Sequence, residues 1–233
     1  MASILSVIIP AINEAENLAS CIKAIRQHSF EESEIIVVDG GSIDKTVDVA
    51  RGLGARVLET QKSRAIQMNY GARCAKGDIF LFLHADSILP KGYQNEIKRT
   101  LLQTPGSIGA FRLKIDSKKR HFRLLELLID LRSRLLGYPY GDQGLFMEQD
   151  TFWALGGFPD QPIMEDFELV HGARRTRKVV VSKLPIKTSD RRWEKLGIFK
   201  TTMINQCIIM AYILGASRDR LYDIYYGKKE KAR

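Results

Sequence analysis

The chain has few cysteines and no apolar run long enough to cross a membrane, and each shortage excludes a class of protein. Its three cysteines are far apart and odd in number, so they fit neither a disulfide framework nor a zinc-ligand spacing. No apolar stretch approaches the ~20 residues that a spanning helix needs. The N-terminal segment also lacks the basic region of a signal peptide. We therefore expect a cytoplasmic protein.

What the chain does contain is enough apolar sequence for a full core and an excess of positive charge. Hydrophobic residues make up 45% of its 233 residues, and the net charge is +9. This charge favours anionic partners such as nucleotides, phosphates, nucleic acid or an acidic membrane surface. Because the chain has no basic stripe interleaved with aromatic residues, we expect no nucleic-acid partner.

Short apolar runs alternate with helical segments in the first part of the chain. All-apolar runs such as 35–38 are typical of strands buried on both faces of a parallel sheet. We expect Asn13, Ser42 and Ser63 to begin the three helices that follow such runs. The alternation predicts a doubly wound α/β half. The predicted strands are 6–10, 35–38, 56–58, 79–83, 109–115, 145–147 and 179–184, and the predicted helices are 15–27, 43–53, 64–75, 91–103, 121–136, 150–155, 165–175 and 198–214.

Acidic residues stand where strands should end. Asp39 and Asp86 each follow an apolar run, and Glu165 and Asp166 follow a later glycine-rich turn. In an open α/β sheet, ligands bind in the crevice beyond the carboxyl ends of the strands. Acids at that edge therefore predict a site for a nucleotide, a divalent metal and a general base.

Seven short motifs appear in a fixed order along the chain. They are SVIIPAINE at 6–14, VVDGGSIDKT at 37–46, RAIQMNYGA at 64–72, FLHAD at 82–86, GGF at 156–158, MED at 164–166 and DRRW at 190–193. Together they resemble the family-2 glycosyltransferases, which have the GT-A fold. The forms His-Ala-Asp and Arg-Arg-Trp are similar to a compact bacterial subgroup, often named for arsenosugar biosynthesis or for its association with radical-enzyme gene clusters.

The resemblance implies an α/β fold of the GT-A type, with a Rossmann-like, mostly parallel open sheet and helices on both faces. It implies a glycosyltransferase domain at 1–195, with a nucleotide-binding half at about 1–90 and an acceptor half at about 91–195. A C-terminal helical extension with a basic tail follows at 196–233. The implied activity moves a sugar from a UDP-, GDP- or dTDP-linked donor to an acceptor hydroxyl.

The resemblance also implies which residues contact the nucleotide sugar. An acid such as Asp39 can accept a hydrogen bond from a ribose hydroxyl, and a glycine such as Gly41 lets the backbone approach the ligand. Arginine suits phosphate, and tryptophan offers a stacking face. Turn formation, a solvated helix face and a buried tryptophan stay open as structural alternatives. The implied donor-binding residues are Pro10, Asn13, Glu14, Asp39, Gly41, Arg64, Gln67, Asp86, Arg191, Arg192 and Trp193.

A divalent metal, Mn²⁺ or Mg²⁺, is expected at Asp86, where it would neutralise the charge of the departing diphosphate. The usual motif of the resembled family carries an aspartate two residues earlier, and this chain has His84 there. Mn²⁺ accepts a nitrogen ligand more readily than Mg²⁺ does. A structural histidine bonded to the backbone is the alternative for His84.

The resemblance gives Asp166 the role of general base, which removes the acceptor proton during direct displacement. We assign Glu165 to positioning. A single base without a paired nucleophile predicts inversion at the anomeric carbon. The alternative is plain helix capping, because acids in a first helical turn are routine.

The acceptor side carries the weakest patterns. The loop 141–144 is either part of the acceptor pocket or a turn, and the acceptor is either lipid-linked or a small molecule. Basic residues at 118–123 and 228–233, with the apolar helix 198–214, would suit peripheral contact with the inner face of an anionic membrane. We favour the alternative, in which the apolar helices pack on the core or in a homodimer.

Two rival functions are open to the same sequence. A sugar-phosphate nucleotidyltransferase needs a glycine-rich, arginine-containing loop after the first strand, but residues 11–14 are Ala-Ile-Asn-Glu. A degenerate, non-catalytic nucleotide-binding module is weakly supported by the positive charge. The intact acids Asp39, Asp86 and Asp166 argue against that module.

Overall fold

Eight strands form one open sheet within residues 4–226, which the computed structural model describes. Side chains at positions 192, 195, 196, 198 and 199 fall outside that description. The strands are β1 (Leu5–Ala11), β2 (Ser33–Asp39), β3 (Arg56–Glu59), β4 (Ile79–Phe82), β5 (Ser87–Ile88), β6 (Ile108–Ile115), β7 (Leu145–Glu148) and β8 (Val179–Thr188). Their order across the sheet is β3-β2-β1-β4-β7-β6-β8-β5.

Most neighbouring strands run parallel, as the sequence predicts. β2 pairs with β3, β1 pairs with both β2 and β4, and β6 pairs with β8 in the parallel sense. β7 runs antiparallel to β4 and β6, and β5 runs antiparallel to β8. The carboxyl ends of the first four strands therefore meet at one edge, where ligands bind in open α/β sheets.

Helices cover both faces of the sheet, which confirms the predicted architecture. They are α1 (Ala15–His28), α2 (Thr46–Gly52), α3 (Arg64–Cys74), α4 (Tyr93–Gln103), α5 (His121–Leu135), α6 (Gln149–Ala154), α7 (Glu165–Ala173), α8 (Arg191–Leu196), α9 (Ile198–Ile213) and α10 (Arg218–Tyr226). Alternate residues of β1 face opposite sides, so Val7 and Ile9 join one core cluster and Ile8 joins the other. α1 and α4 cover the first cluster, and α3 and α7 cover the second.

One predicted helix cap is confirmed and another is wrong. The Ser63 hydroxyl accepts a hydrogen bond from the Ile66 N–H (3.4 Å) at the start of α3. Asn13 does not cap α1, because it adopts a left-handed φ of 52°. Its side chain instead accepts a hydrogen bond from the Ile43 N–H (2.9 Å), and so connects two loops.

Other element boundaries also differ from the prediction. Ser42 begins no helix, because its hydroxyl donates to the Asp39 carboxylate, and α2 starts only at Thr46. β8 continues to Thr188, since its second half pairs with β5 as well as with β6. β5, α8 and α10 escape prediction because each is too short or too polar to show a clear period.

The C-terminal helices α9 and α10 contact the segment that leads into α7. Ile163 packs with Ile208 and Leu221 in a separate apolar cluster. The Tyr212 hydroxyl donates to the Glu168 carboxylate (2.5 Å). These contacts attach the two helices to the part of the chain that carries the predicted base.

The features predicted for membrane contact have a mixed outcome. The favoured packing of the apolar helix holds for one side of α9, where Ile208 is buried, but Met210 and Ile213 are exposed. The basic tail at 228–233 lies outside the described residues. Among the described residues, no helix combines the length and apolarity needed to span a membrane.

Gly109 of β6 lies beneath the Phe146 ring, where β6 meets β7. A Cβ at position 109 would lie 2.0 Å from that fully buried ring. We therefore expect Gly109→Ala to lower the free energy of unfolding by about 2–3 kcal/mol, measured by urea denaturation. Gly52→Ala is the matched control, because nothing lies within 4 Å of that position. Equal losses in both variants would contradict the packing argument.

Candidate functional site

The loops after β1 and β2 interlock at the carboxyl edge of the sheet. The Asn13 N–H donates to the Ser42 hydroxyl (2.8 Å), and the Asn13 side chain accepts from the Ile43 N–H (2.9 Å). One residue later, the Glu14 N–H donates to the Thr46 hydroxyl (2.8 Å). These bonds fix the two predicted nucleotide-binding segments relative to each other.

Asp39 organises the second of these loops. Its Oδ2 accepts hydrogen bonds from the Gly41 and Ser42 N–H groups (both 2.9 Å), and its Oδ1 accepts from the Ser42 hydroxyl (2.5 Å). The side chain is only 3% exposed. Gly41 has a φ of 94°, which a residue with a Cβ rarely adopts. The turn-forming alternative for Asp39 therefore holds, and its contact with a ribose stays a prediction.

Gln67 lies beneath the same loops and is buried. Its Nε2 donates to the carbonyls of Ala11 (3.0 Å) and Val38 (2.7 Å). A Cβ on Gly40 would lie 3.1 Å from that nitrogen. Pro10 pairs with Val38 in the register of β1 and β2. Gln67 thus connects the carboxyl ends of β1 and β2 through hydrogen bonds. The contacts of Gln67 and Pro10 with the nucleotide sugar stay predictions.

Arg191, at the start of α8, approaches this edge from a distant part of the chain. Its Nη2 lies 3.0 Å from the Glu14 Oε2 and 3.7 Å from the Asp86 Oδ2. Burial and the nearby Glu14 raise the pKa of Asp86, and Arg191 acts against that shift. The guanidinium therefore bridges two acids where the donor diphosphate is predicted to bind.

Trp193 is half-buried. Its ring packs edge-on against Phe122 of α5, with 6.2 Å between the ring centroids. This packing is closer to the buried-tryptophan alternative, and a stacking contact with the donor stays a prediction. The side chain of Arg192 lies outside the described residues.

Asp166, in the first turn of α7, meets the loop 141–144 and His84. Its Oδ2 accepts a hydrogen bond from the Gly141 N–H (2.6 Å). A Cβ on Gly141 would lie 3.0 Å from both the Asp166 Oδ2 and the His84 Nε2. The predicted base and the predicted metal-side histidine therefore both lie close to Gly141, where an added methyl group would crowd them.

Glu165, the neighbour of Asp166, is almost completely buried. Its Oε1 lies 3.4 Å from the Arg64 Nη1. Burial raises the pKa of Glu165, and Arg64 acts against that shift. Interactions with Tyr226, Glu165 and Asp166 raise the pKa of Arg64, so this arginine stays a cation. The arrangement favours the positioning role for Glu165.

His84 and Asp86 offer a sparse donor set for a divalent metal. Burial, and then the positive Arg64, lower the pKa of His84 to about 3, so the imidazole is neutral, as a metal ligand must be. No group of three or more metal-ligating side chains occurs in the part of the chain that the structure describes. A Mg²⁺ or Mn²⁺ ion that takes further ligands from phosphate and water fits such a pair.

Arg132, Tyr140 and Asp142 lie in or beside the loop that the sequence assigns either to the acceptor pocket or to a turn. The Arg132 guanidinium carbon lies 3.5 Å from the centroid of the Tyr140 ring. The Asp142 Oδ1 is buried and has no hydrogen-bond partner within the described part of the chain. Burial raises the pKa of Asp142 to about 6 against the effect of Arg132. The sequence identified the loop that holds Asp142, but nothing in it distinguishes Arg132 from the other arginines of α5.

A known protein family matches much of this chain. The family model for glycosyl transferase family 2 matches residues 6–156, which is more than half of the chain. The chain belongs to glycosyl transferase family 2. The predicted family is therefore confirmed, and the bacterial subgroup stays a prediction.

Curated relatives of this family-2 chain match over part of their length. A PGL/p-HBAD biosynthesis glycosyltransferase of Mycobacterium bovis is 37% identical over 95 residues, which cover 38% of this chain and 37% of the relative. Glycosyltransferase AglE of Haloferax volcanii is 36% identical over 90 residues, which cover 35% of this chain and 30% of AglE. The matched segment thus spans about a third of the length of these relatives.

Solved structures share the fold. TarS residues 1–349 of S. aureus, in complex with UDP, gives a TM-score of 0.65 at 15% identity and covers 80% of this chain and 60% of TarS. Glucosyl-3-phosphoglycerate synthase of Mycobacterium tuberculosis, in complex with Mn²⁺, UDP and glucosyl-3-phosphoglycerate, gives 0.64 at 20% identity. That match covers 86% of this chain and 77% of the synthase. Both likenesses confirm the GT-A fold of the family-2 chain.

Asp142 should make the stability of this family-2 protein depend on pH. Burial raises its pKa from 3.8 to about 6 in the folded state, so the folded protein binds more protons than the unfolded chain between those values. The contribution of Asp142 to stability is then fully present below pH 3.8 and is lost as the pH rises through 6. We expect Asp142→Asn to raise the free energy of unfolding by about 2 kcal/mol at pH 8.

The difference in the free energy of unfolding between Asp142→Asn and wild type should shrink as the pH falls toward 4. Urea denaturation of both proteins at a series of pH values measures it. Asp160→Asn, at an exposed position, is the control and should differ little from wild type at any pH. A difference for Asp142→Asn that is constant with pH would contradict the raised pKa.

Proposed function

We propose that this chain is an inverting glycosyltransferase that moves a sugar from a nucleotide sugar to an acceptor hydroxyl. One observation carries the proposal: Asp166 accepts a hydrogen bond from Gly141, and Gly141 also lies close to His84, which follows the carboxyl end of β4. Membership of the family supports the same activity. Asp39 is kept at the strand end, and its carboxylate organises the loop that follows. This argues against a degenerate module, because a protein that no longer binds nucleotide would not need a carboxylate there.

The donor is proposed to bind between the β1 and β2 loops and α8. The backbone at Gly41 allows close approach of a nucleoside. Arg191 bridges Glu14 and Asp86. When the donor binds, the Arg191 guanidinium would release one of these carboxylates and bind a diphosphate oxygen instead. Structures of similar fold contain UDP or UDP-GlcNAc, which supports a uridine donor over GDP- or dTDP-linked ones.

In the proposed reaction, an Asp166 oxygen takes the proton from the acceptor hydroxyl as the acceptor oxygen attacks the anomeric carbon. The bond between that carbon and the diphosphate oxygen breaks, and its electron pair leaves with the nucleoside diphosphate. Attack opposite the leaving group inverts the anomeric configuration. Glu165, paired with Arg64 (3.4 Å), holds the first turn of α7 in place.

A divalent metal is proposed at Asp86 and His84, because structures of similar fold contain Mn²⁺ or Mg²⁺ together with UDP. When bound, the ion neutralises charge on the leaving diphosphate as a Lewis acid. The Asp86 carboxylate and the neutral His84 ring would hold it, and diphosphate oxygens would complete its shell.

The acceptor is proposed to bind beside Tyr140 and Asp142. The Asp142 Oδ1, which has no hydrogen-bond partner among the residues that the structure describes, can accept a hydrogen bond from a second acceptor hydroxyl and so orient the acceptor toward Asp166. We also propose residues 1–195 as the catalytic domain and 196–233 as its extension. A cytoplasmic location with peripheral membrane contact completes the proposal, supported by the net charge of +9.

Asp166→Asn tests the base directly. The amide keeps the shape of the side chain and can still accept the Gly141 hydrogen bond, but it cannot take a proton. We expect nucleoside diphosphate release to slow by about 10²- to 10⁴-fold, while calorimetry shows nearly unchanged nucleotide affinity. Asp160→Asn, at an exposed position, should keep the full rate. An unchanged rate for Asp166→Asn would remove the assignment.

Gly141→Ala tests whether the loop positions the base. The added methyl would press on both Asp166 and His84 at 3.0 Å, so we expect release to slow by about 10- to 100-fold with nucleotide affinity retained. Gly172→Ala on the same helix as Asp166 is the control, since nothing lies within 4 Å of that position. Equal rates for the two variants would show that the loop has no positioning role.

A further inference from the structure

The long helix α5 carries apolar residues on two sides, and one of these sides is exposed. Phe122 and Leu125 face inward and are buried, and Ile129 packs against the same cluster. The other side carries five leucines, each between 51% and 73% exposed. Their spacing of three or four residues makes one continuous stripe along the helix. This leucine face consists of Leu124, Leu127, Leu128, Leu131 and Leu135.

Basic side chains outnumber acidic ones around the leucine face, and one of them, Lys119, pairs with Glu194 of α8 (2.8 Å). α5 contains two acids, and arginines of the same helix pair with both: Arg123 with Glu126 (2.7 Å) and Arg134 with Asp130 (2.7 Å). Glu126 is also buried. The Lys-Lys-Arg segment 118–120, just before the helix, is exposed. An exposed apolar stripe with a basic rim is therefore what this surface offers to a partner.

We propose that the leucine face docks onto an anionic lipid bilayer, with α5 lying parallel to the membrane surface. Helices with an apolar face and a lysine- or arginine-rich rim bind in this way, through buried apolar area and attraction to anionic lipids. The net charge of +9 acts in the same direction. A second copy of the chain fits less well, because a two-fold contact would bring identical basic rims together.

Docking through α5 would bring the acceptor side close to the bilayer. In the last turn of α5, Arg132 donates to the Gln143 side chain (3.2 Å) and stacks on Tyr140. Ser133 of the same turn also donates to Gln143 (2.7 Å). This step rests on the proposed function and deepens it: the acceptor is an amphiphile whose hydroxyl-bearing head reaches Asp166 from the membrane surface.

Vesicle binding tests the surface without any substrate. The 233-residue protein is sedimented with phosphatidylcholine vesicles, and with vesicles that also contain phosphatidylglycerol. We expect binding to the anionic vesicles to be tighter by about tenfold or more. Leu127→Ser/Leu131→Ser should weaken that binding by about tenfold. The matched variant Phe30→Ser/Leu102→Ser, which removes two exposed apolar side chains elsewhere, should bind like wild type.

A second pair of variants tests the charge. Lys118→Gln/Arg120→Gln should reduce binding to anionic vesicles toward the level for neutral vesicles. Lys23→Gln/Lys91→Gln, at two other exposed positions, removes the same charge and should have little effect. Equal losses in the two pairs would overturn the placement of the surface on α5 and assign any binding to net charge alone.

Other outcomes overturn the inference as a whole. The inference is overturned if the wild-type protein binds neither kind of vesicle. A dimer seen by analytical ultracentrifugation that Leu127→Ser/Leu131→Ser abolishes, without vesicle binding, would assign the leucine face to a second copy of the chain. Protein that binds a nucleotide but no vesicle would lose this inference and the proposed membrane contact but keep the proposed glycosyl transfer, so the two failures are distinguishable.

Discussion

A hydrogen bond from the Gly141 N–H to the Asp166 carboxylate (2.6 Å) connects the loop 141–144 with the first turn of α7. Gln143 anchors the loop on one side, because its amide donates to the Phe111 carbonyl (2.9 Å) in β6. On the other side, Met164 adopts a φ of 68° just before α7, which is uncommon for a residue with a side chain and sets the direction of the first turn. The bond places the predicted base against the loop, next to His84.

Charge balance is the second constraint, because the site gathers acids that would repel one another without arginines. These arginines come from separate elements: α3, α5 and α8. Burial raises the pKa of Asp86, of Asp142 and of Glu165, and the arginines act against each shift. A site with this composition can bind a divalent cation and a diphosphate together. The acids would bind the cation, and the arginines would bind the phosphate oxygens.

The sequence predicts the fold and the position of the site better than it predicts partners. Apolar period and strand-end acids depend on local spacing, so the sheet and the edge holding Asp39 and Asp86 follow from them. Polar side chains choose partners through contacts distant in sequence. This is why Gln67 donates hydrogen bonds to the ends of two strands and Trp193 packs on α5, although the sequence predicts contacts with the nucleotide sugar for both. α5 is apolar on two sides, so its period cannot tell which side is buried. The leucine face does not pack on the core, and its packing in a homodimer stays a prediction.

Calorimetric titration with UDP, GDP and dTDP, each with Mn²⁺, with Mg²⁺ and with a chelator, tests the central claim most directly. We predict that UDP binds, that Mn²⁺ or Mg²⁺ strengthens its binding, and that Asp86→Ala removes the effect of the metal. Binding that ignores the metal would make His84 and Asp86 polar contacts instead of ligands. No binding of any of the three nucleotides under any of these conditions would contradict the account of the strand ends as a nucleotide-sugar site.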